Sequence, residues 1–179
     1  MTNAGLERVI NDASDLADQR IRRMYDRLDE MGCESPIEKY FAIALWESTL
    51  IISSGKLGDY NLMWPKAPPK DFKIPHLRIA IWAQQKVFDW RADFVLGVVD
   101  ADEDPHYAIV ECDGHDFHER TKEQAARDRQ RDRRAQQEGW RIFRLTGSEL
   151  YARSCLIACD EILNGWACRV WESSKGGAE

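Results

Sequence analysis

The spacing of apolar residues changes at residue 77, and this switch constrains the fold more than any other feature of the chain. Before it, Leu6, Ile10, Ala13, Ala17, Ile21, Met24, Leu28 and Met31 recur every three or four positions among Asp, Glu, Arg and Asn. That repeat puts an apolar stripe along one side of a helix. After it, Leu77, Ile79 and Ile81 alternate with Arg78, Ala80 and Trp82, which is the period of a strand with two distinct faces.

The first stripe predicts one long helix over residues 4–31, about 42 Å from end to end. That exceeds a small domain, so part of the helix reaches past its own core to a second subunit or a partner, unless it bends back onto the same domain. Gly32 ends it. Ser35, Pro36 and Glu38 then stand at the N-cap, N1 and N3 positions of a capping box. Ile37, Phe41, Leu45, Ser48 and Ile52 mark the inner face of a helix running to about Ser54. Residues 55–75 hold Pro65, Pro68, Pro69 and Pro75 and read as a connecting segment.

Beyond the strand at 77, Trp90–Val99 reads as a second strand and Asp100–Pro105 as a polar turn. His106–Cys112 is a third strand, antiparallel to the second. Residues 119–138 form a charged helix, Arg141–Leu145 a fourth strand, and 147–171 are largely helix. The expected architecture is α/β, with a mixed central sheet and helices on its faces. Residues 1–31 are the long amphipathic helix and 32–179 a single domain.

Composition sets the outer limits. A chain of 179 residues with 44% hydrophobic residues and seven Trp is globular and supports its own core. The net charge of −6 excludes a uniformly basic nucleic-acid coat but leaves room for a local basic surface. The apolar run Phe41–Trp46 is far short of the ~20 residues that span a bilayer. The first residues carry charges rather than a signal core. Cysteines 33, 112, 155, 159 and 168 are odd in number and irregularly spaced, unlike a disulfide framework. The expectation is a cytoplasmic, reduced protein with no membrane partner.

Three acids carry the chemistry. Asp93 interrupts the apolar run Ala92-Asp93-Phe94-Val95-Leu96, and Glu111 and Asp113 close the next strand. Two residues apart on an extended strand, Glu111 and Asp113 share a face. Pairing of the two strands brings all three carboxylates to one end of the sheet. Like charges that close raise one another's pKa values, and a hard divalent cation with oxygen ligands relieves the repulsion. Such a centre suits phosphodiester hydrolysis. Taken singly, each acid also reads as a solvated strand end or turn residue.

Further motifs make the pattern specific. Glu111-Cys112-Asp113-Gly114-x-x-Phe117-His118, then Arg131-Asp132, then Gly139-Trp140-Arg141-Ile142-Phe143-Arg144, together resemble the restriction-endonuclease-like PD-(D/E)XK superfamily. The likeness is to its branch related to the very-short-patch repair endonuclease and small stand-alone nuclease domains. It covers about residues 34–150, leaving out the first 30 residues, the Pro-rich loop and the C-terminal helix. The resemblance implies a restriction-endonuclease-like fold and a metal-dependent DNA endonuclease using Mg²⁺, for which Mn²⁺ substitutes. It implies that Asp93 is the main metal-bridging acid and Glu111 a second ligand. Asp113 stands where the superfamily's name puts Lys, so the usual cation is missing. His118 then takes the role of general base or proton donor, its unperturbed pKa lying near ~6.5. Glu38 matches the branch's helix-borne Glu, although a capping box alone also accounts for it. Gln85 is a candidate for a phosphate or the attacking water, although a polar residue of a strand edge is the simpler reading. Cys112, His115 and His118 also space out as zinc ligands, but no second ligand pair lies at zinc-finger spacing.

Residues 120–138 hold seven basic residues against four acids, a candidate contact to a nucleic-acid backbone. Arg127, Arg131 and Arg134 are its leading members, and Arg144 on the following strand is expected at a phosphate or a site carboxylate. The alternative is a solvated helix laced by pairs with Asp128 and Asp132. Two further readings stay open: a nuclease-fold module that binds nucleic acid or a partner without cutting, and an interaction protein, homodimeric or heteromeric, working through the 4–31 helix.

Overall fold

Alternation builds the expected sheet, and the strands are joined in the simplest order. The computed structural model describes residues 3–52, 61–76, 78–113, 121–150 and 153–173. Strands β1 (Asn61–Met63), β2 (Arg78–Val87), β3 (Trp90–Val99), β4 (Pro105–Asp113) and β5 (Arg141–Thr146) lie side by side in sequence order. β1 is parallel to β2 and β5 to β4, while β2–β3 and β3–β4 are antiparallel. The sheet is therefore mixed, in an α/β arrangement. The segment expected as pure connection contains β1 and a 3-10 turn at Pro69–Asp71. A three-residue strand is too short to carry a periodic signal.

Helix α1 covers Asn3–Leu28 and α2 covers Pro36–Ile52. The chain leaves α1 through a turn in which Cys33 N–H donates to Leu28 O at 2.9 Å. Gly32 there has φ 97°, a left-handed conformation open to glycine. Met24 and Leu28 are buried, whereas Leu16 is 66% exposed, so α1 docks through its C-terminal turns. Helix α3 (Lys122–Gln137) links β4 to β5. Thr121 and Gln124 form a capping box at its start. The C-terminal segment is helical but broken into α4 (Gly147–Leu150), α5 (Arg153–Ile162), a wide π turn (Leu163–Ala167) and α6 (Cys168–Glu172). No helix among the described residues is long and apolar enough to cross a membrane.

Two apolar cores lie on the two faces of the sheet. On one, Met24, Leu28, Phe41, Leu45, Cys155, Cys159, Ile162 and Trp171 pack on Ile79, Ile81, Phe94, Leu96 and Val110. On the other, Ile74 and Ala135 meet Trp82, Val95 and Ile109, with Phe88, Tyr107 and Trp140 packed around them. Phe41 meets Phe94 with ring centroids 5.2 Å apart. That contact has a consequence for the acids. Glu38 sits one turn before Phe41 on α2, and Asp93 precedes Phe94 on β3, so the aromatic pair brings Glu38 to Asp93.

Candidate functional site

The site forms where the pleat of the sheet changes phase. Ile81 and Ala83 of β2, with Phe94 of β3, face the core beneath α2. Two or more residues further along, Val87, Trp90 and Ala92 face the opposite core. Strict alternation would have kept all of these on the first face. The pairing register is unaltered, Ala83 opposite Phe94 and Gln85 opposite Ala92, so the inversion is confined to the cross-strand neighbours Gln84 and Asp93. Gln84 has φ 52°, a left-handed backbone that a residue with a long side chain rarely adopts.

The distortion turns Gln84 toward α2, where its amide donates to Glu38 Oε2 at 2.9 Å. The same oxygen accepts the Glu34 N–H at 2.8 Å, and Ser35 Oγ donates to Glu38 Oε1 at 2.6 Å. Ser35 Oγ also accepts the Glu38 N–H at 3.3 Å, closing the box read from the sequence. Glu38 is only 6% exposed. A surface cap has no need of burial or of a third donor from a distant strand, and the Glu38 charge also acts on Asp93, so Glu38 joins the acidic cluster as well as the cap.

Asp93 lies between Glu38 and β4. Its Oδ2 accepts the Cys112 N–H at 2.8 Å. Burial raises its pKa, and the charges of Glu38 and Asp113 push the same way, against the Cys112 hydrogen bond and Arg91. Glu111 is perturbed further. Burial pushes it up to about 7, aided by Asp93 and Asp113 and opposed by Arg144. Cys112 points the other way, into the core with Phe94. Arg144, opposite Glu111 across β4–β5, donates to Asp132 Oδ1 at 2.9 Å and Oδ2 at 3.3 Å, and reaches Asp113 Oδ2 at 3.5 Å. Burial works against charging Arg144, but these acids outweigh it and hold it firmly protonated. Asp93, Glu111, Asp113 and Glu38 are thus brought into one electrostatic cluster, with Arg144 as its cation.

Comparison with known protein families, curated proteins and solved structures finds no match. Chemistry has to be read from the site itself.

The remaining sequence-derived residues divide. His118 lies outside the described residues, as do Gly114 and His115. On α3, Arg134 bonds Asp89 at 2.8 Å and lies over the Phe88 ring. Arg131 approaches Asp128 at 3.8 Å and lies over Trp90. Both are partly occupied in holding α3 to the β2–β3 hairpin, whereas Arg127 is exposed. Gln85 donates to Ala83 O at 3.0 Å and is separate from the Glu38 network that Gln84 joins. Gln84 escaped the sequence reading, and Asp132 entered it only through the Arg131-Asp132 motif and as a partner of the helix arginines, not as the partner of Arg144. Two successive polar residues in β2, Gln84 and Gln85, were the only available sign of the pleat inversion. Asp132 sits among the five arginines of α3 and reads there as one of their partners.

Proposed function

We propose that this chain is a metal-dependent nuclease of the restriction-endonuclease-like fold that hydrolyses phosphodiester bonds in DNA. The observation that carries the reading is the placing of Asp93 and Glu111 on the adjacent strands β3 and β4, Asp93 bonded to the Cys112 N–H, where burial raises both carboxyls, with Glu38 and Asp113 acting on Asp93 and Asp93 and Asp113 on Glu111. Crowded, dehydrated carboxylates cost stability, so a purely structural role offers no reason to keep them.

The donor chemistry fits a hard cation. Among the described residues, no three His, Cys, Asp or Glu side chains are placed to hold a metal. Mg²⁺ commonly uses one or two carboxylates with water and phosphate, and Asp93 and Glu111 would be those two. Bound there, the cation supplies charge neutralisation at the phosphate and makes water more acidic. Asp93 keeps its orientation through the Cys112 N–H. Glu38, fixed by three donors, presents a carboxylate that cannot swing away. Arg144 supplies positive charge beside Asp113, where the superfamily resemblance leaves the usual Lys unfilled. The proton-transfer role that the resemblance implies falls to His118.

A second reading has its own support. Glu38 already accepts three hydrogen bonds and Arg144 already holds Asp132, as in a site that grips nucleic acid without cutting. A cleavage assay on supercoiled plasmid and on single-stranded DNA separates the two, run with Mg²⁺, Mn²⁺ or EDTA beside Asp93→Ala and Glu111→Ala. We expect metal-dependent cutting that both substitutions abolish. Salt-sensitive binding with no cutting under any metal would establish the binding module instead.

A further inference from the structure

Beside the acidic cluster, β2 has no further strand partner on its β1 side among the described residues. Pairing with β1 ends at Met63 opposite Ala80, and along the edge so left open runs a cavity of about 900 Å³. Its walls come from the end of α1, the middle of α2 and the chain following β1. Trp46 and Trp64, both half-buried, line it together with Arg27, Lys66, Glu30 and Gln85. Arg20 covers one side of the Trp46 indole at 5.0 Å from its centroid. Arg27 and Lys66 are exposed, and among the described residues neither is in an ion pair. Gln85 adjoins Gln84, whose amide touches Glu38, so the cavity and the acidic cluster open from the same stretch of β2.

We propose that this cavity binds an unpaired stretch of nucleic acid, so that the nuclease proposed above acts on single-stranded rather than fully paired substrate; the substrate class rests on that reading, while the binding does not. Indole rings lining a cavity beside Arg27 and Lys66 supply the two parts of a single-strand site: aromatic surface for bases and charges that follow the phosphates. The space is at the upper end of ordinary ligand pockets and has room for a nucleotide with its phosphate. Recession of the indoles decides the strandedness. A base inside a duplex offers only its edges to a groove, and it reaches a half-buried aromatic ring inside a cavity only after leaving its stack. Arg27 and Lys66 outnumber Glu30, which matches a phosphate better than an acidic peptide.

The test is binding of the full-length chain, in EDTA, to a labelled oligothymidine of about 20 nucleotides and to a duplex of equal length. Fluorescence anisotropy is the readout. We expect the single strand to bind at least about tenfold more tightly than the duplex. Trp64→Leu is expected to weaken it about tenfold while Trp64→Phe largely restores it, because a ring is what stacks. Arg27→Glu with Lys66→Glu is expected to weaken it similarly and to flatten the dependence of log K on log salt by roughly 1.4, about 0.7 for each lost phosphate contact. Both cations are exposed, so their reversal leaves the fold intact, which circular dichroism checks. Asp93→Ala and Glu111→Ala should still bind the single strand through the groove, with the binding still weakened by Trp64→Leu. That separates the two readings: absence of cutting with groove-dependent binding retained removes the nuclease alone. Equal affinity for duplex and single strand, no affinity for either, or indifference to all three groove substitutions overturns the single-strand site. So does tight binding of a proline-rich peptide that Trp64→Leu abolishes while the oligothymidine is ignored.

Discussion

Burial holds the Glu111 carboxyl at about 7 rather than its usual 4.5, with Asp93 and Asp113 adding to the effect. The folded chain therefore binds a proton that the unfolded chain has released between these two values. Stability linked to Glu111 is fully present below about 4.5 and is lost as pH rises through about 7. The full difference is at most roughly 3 kcal/mol. Glu111→Gln keeps the shape and removes the titration. We expect urea midpoints of the unaltered chain to fall between pH 5 and 8 and those of Glu111→Gln to change far less, making the variant the more stable at pH 8. A parallel decline in both would place the titration elsewhere. Gln84 permits a second residue-scale test, since its φ of 52° and its bond to Glu38 have opposite effects. Gln84→Ala keeps the backbone conformation and loses a bond to a buried carboxylate, costing about 2 kcal/mol. Gln84→Gly loses the same bond but relaxes the backbone, and should cost about 1 kcal/mol less than the alanine. Equal losses in urea unfolding would mean that the left-handed backbone stores nothing.

The elements around the site are pinned by a few contacts, and Gly97 of β3 tests them. A Cβ there would come within 2.6 Å of Ile74 Cδ1, 3.1 Å of the Trp82 ring and 3.2 Å of the Tyr107 ring. The Ile74 methyl can swing aside. The rings cannot move freely, because Trp82 Nε1 donates to Ala67 O at 2.7 Å and Tyr107 Oη to Pro69 O at 3.2 Å. Those bonds tie the Pro-rich segment to the sheet. Gly97→Ala should cost about 1–3 kcal/mol and increase proteolysis within residues 64–76; an unchanged unfolding midpoint would mean that the rings yield without cost. Element-scale reasoning also separates what the sequence disclosed from what it hid. The Ser35–Glu38 box was legible because capping is local, and the common face of Glu111 and Asp113 because strand alternation is local too. Nothing local announced that Asp93 and Gln84 would face each other, since that depends on the β2–β3 register, nor that Arg144 would choose Asp132 on a separate helix. The short β1 had too few residues to form a pattern. The order of strands across the sheet was equally unreadable, being a property of all the pairings at once.

At the scale of the molecule, the acidic cluster joins the two halves of the fold. Glu38 arrives on α2 from one face of the sheet, and Asp132, through Arg144, on α3 from the other, while Asp93, Glu111 and Asp113 come from the strands between. Anything that neutralises the cluster should accordingly stabilise the whole chain rather than one loop. A ligand that binds only the folded form raises stability by RT ln(1 + [L]/Kd), about 2.7 kcal/mol at a hundredfold excess over Kd, or several degrees in Tm for a chain of this size. Protons compete for the same oxygens, so the direction with pH is fixed. At pH 8 Glu111 has lost its proton and its charge stands beside Asp93, so added Mg²⁺ should raise Tm by several degrees. At pH 5 Glu111 holds its proton and the same Mg²⁺ should raise Tm by much less. Asp93→Asn should abolish the difference between the two pH values, because it removes one of the two oxygen donors and part of the repulsion that the cation relieves. Differential scanning fluorimetry at both pH values, with and without Mg²⁺, measures all of this without requiring a substrate. A metal response equal at both pH values, or one that survives Asp93→Asn, would place the cation away from Asp93 and Glu111 and leave their crowding without its proposed purpose.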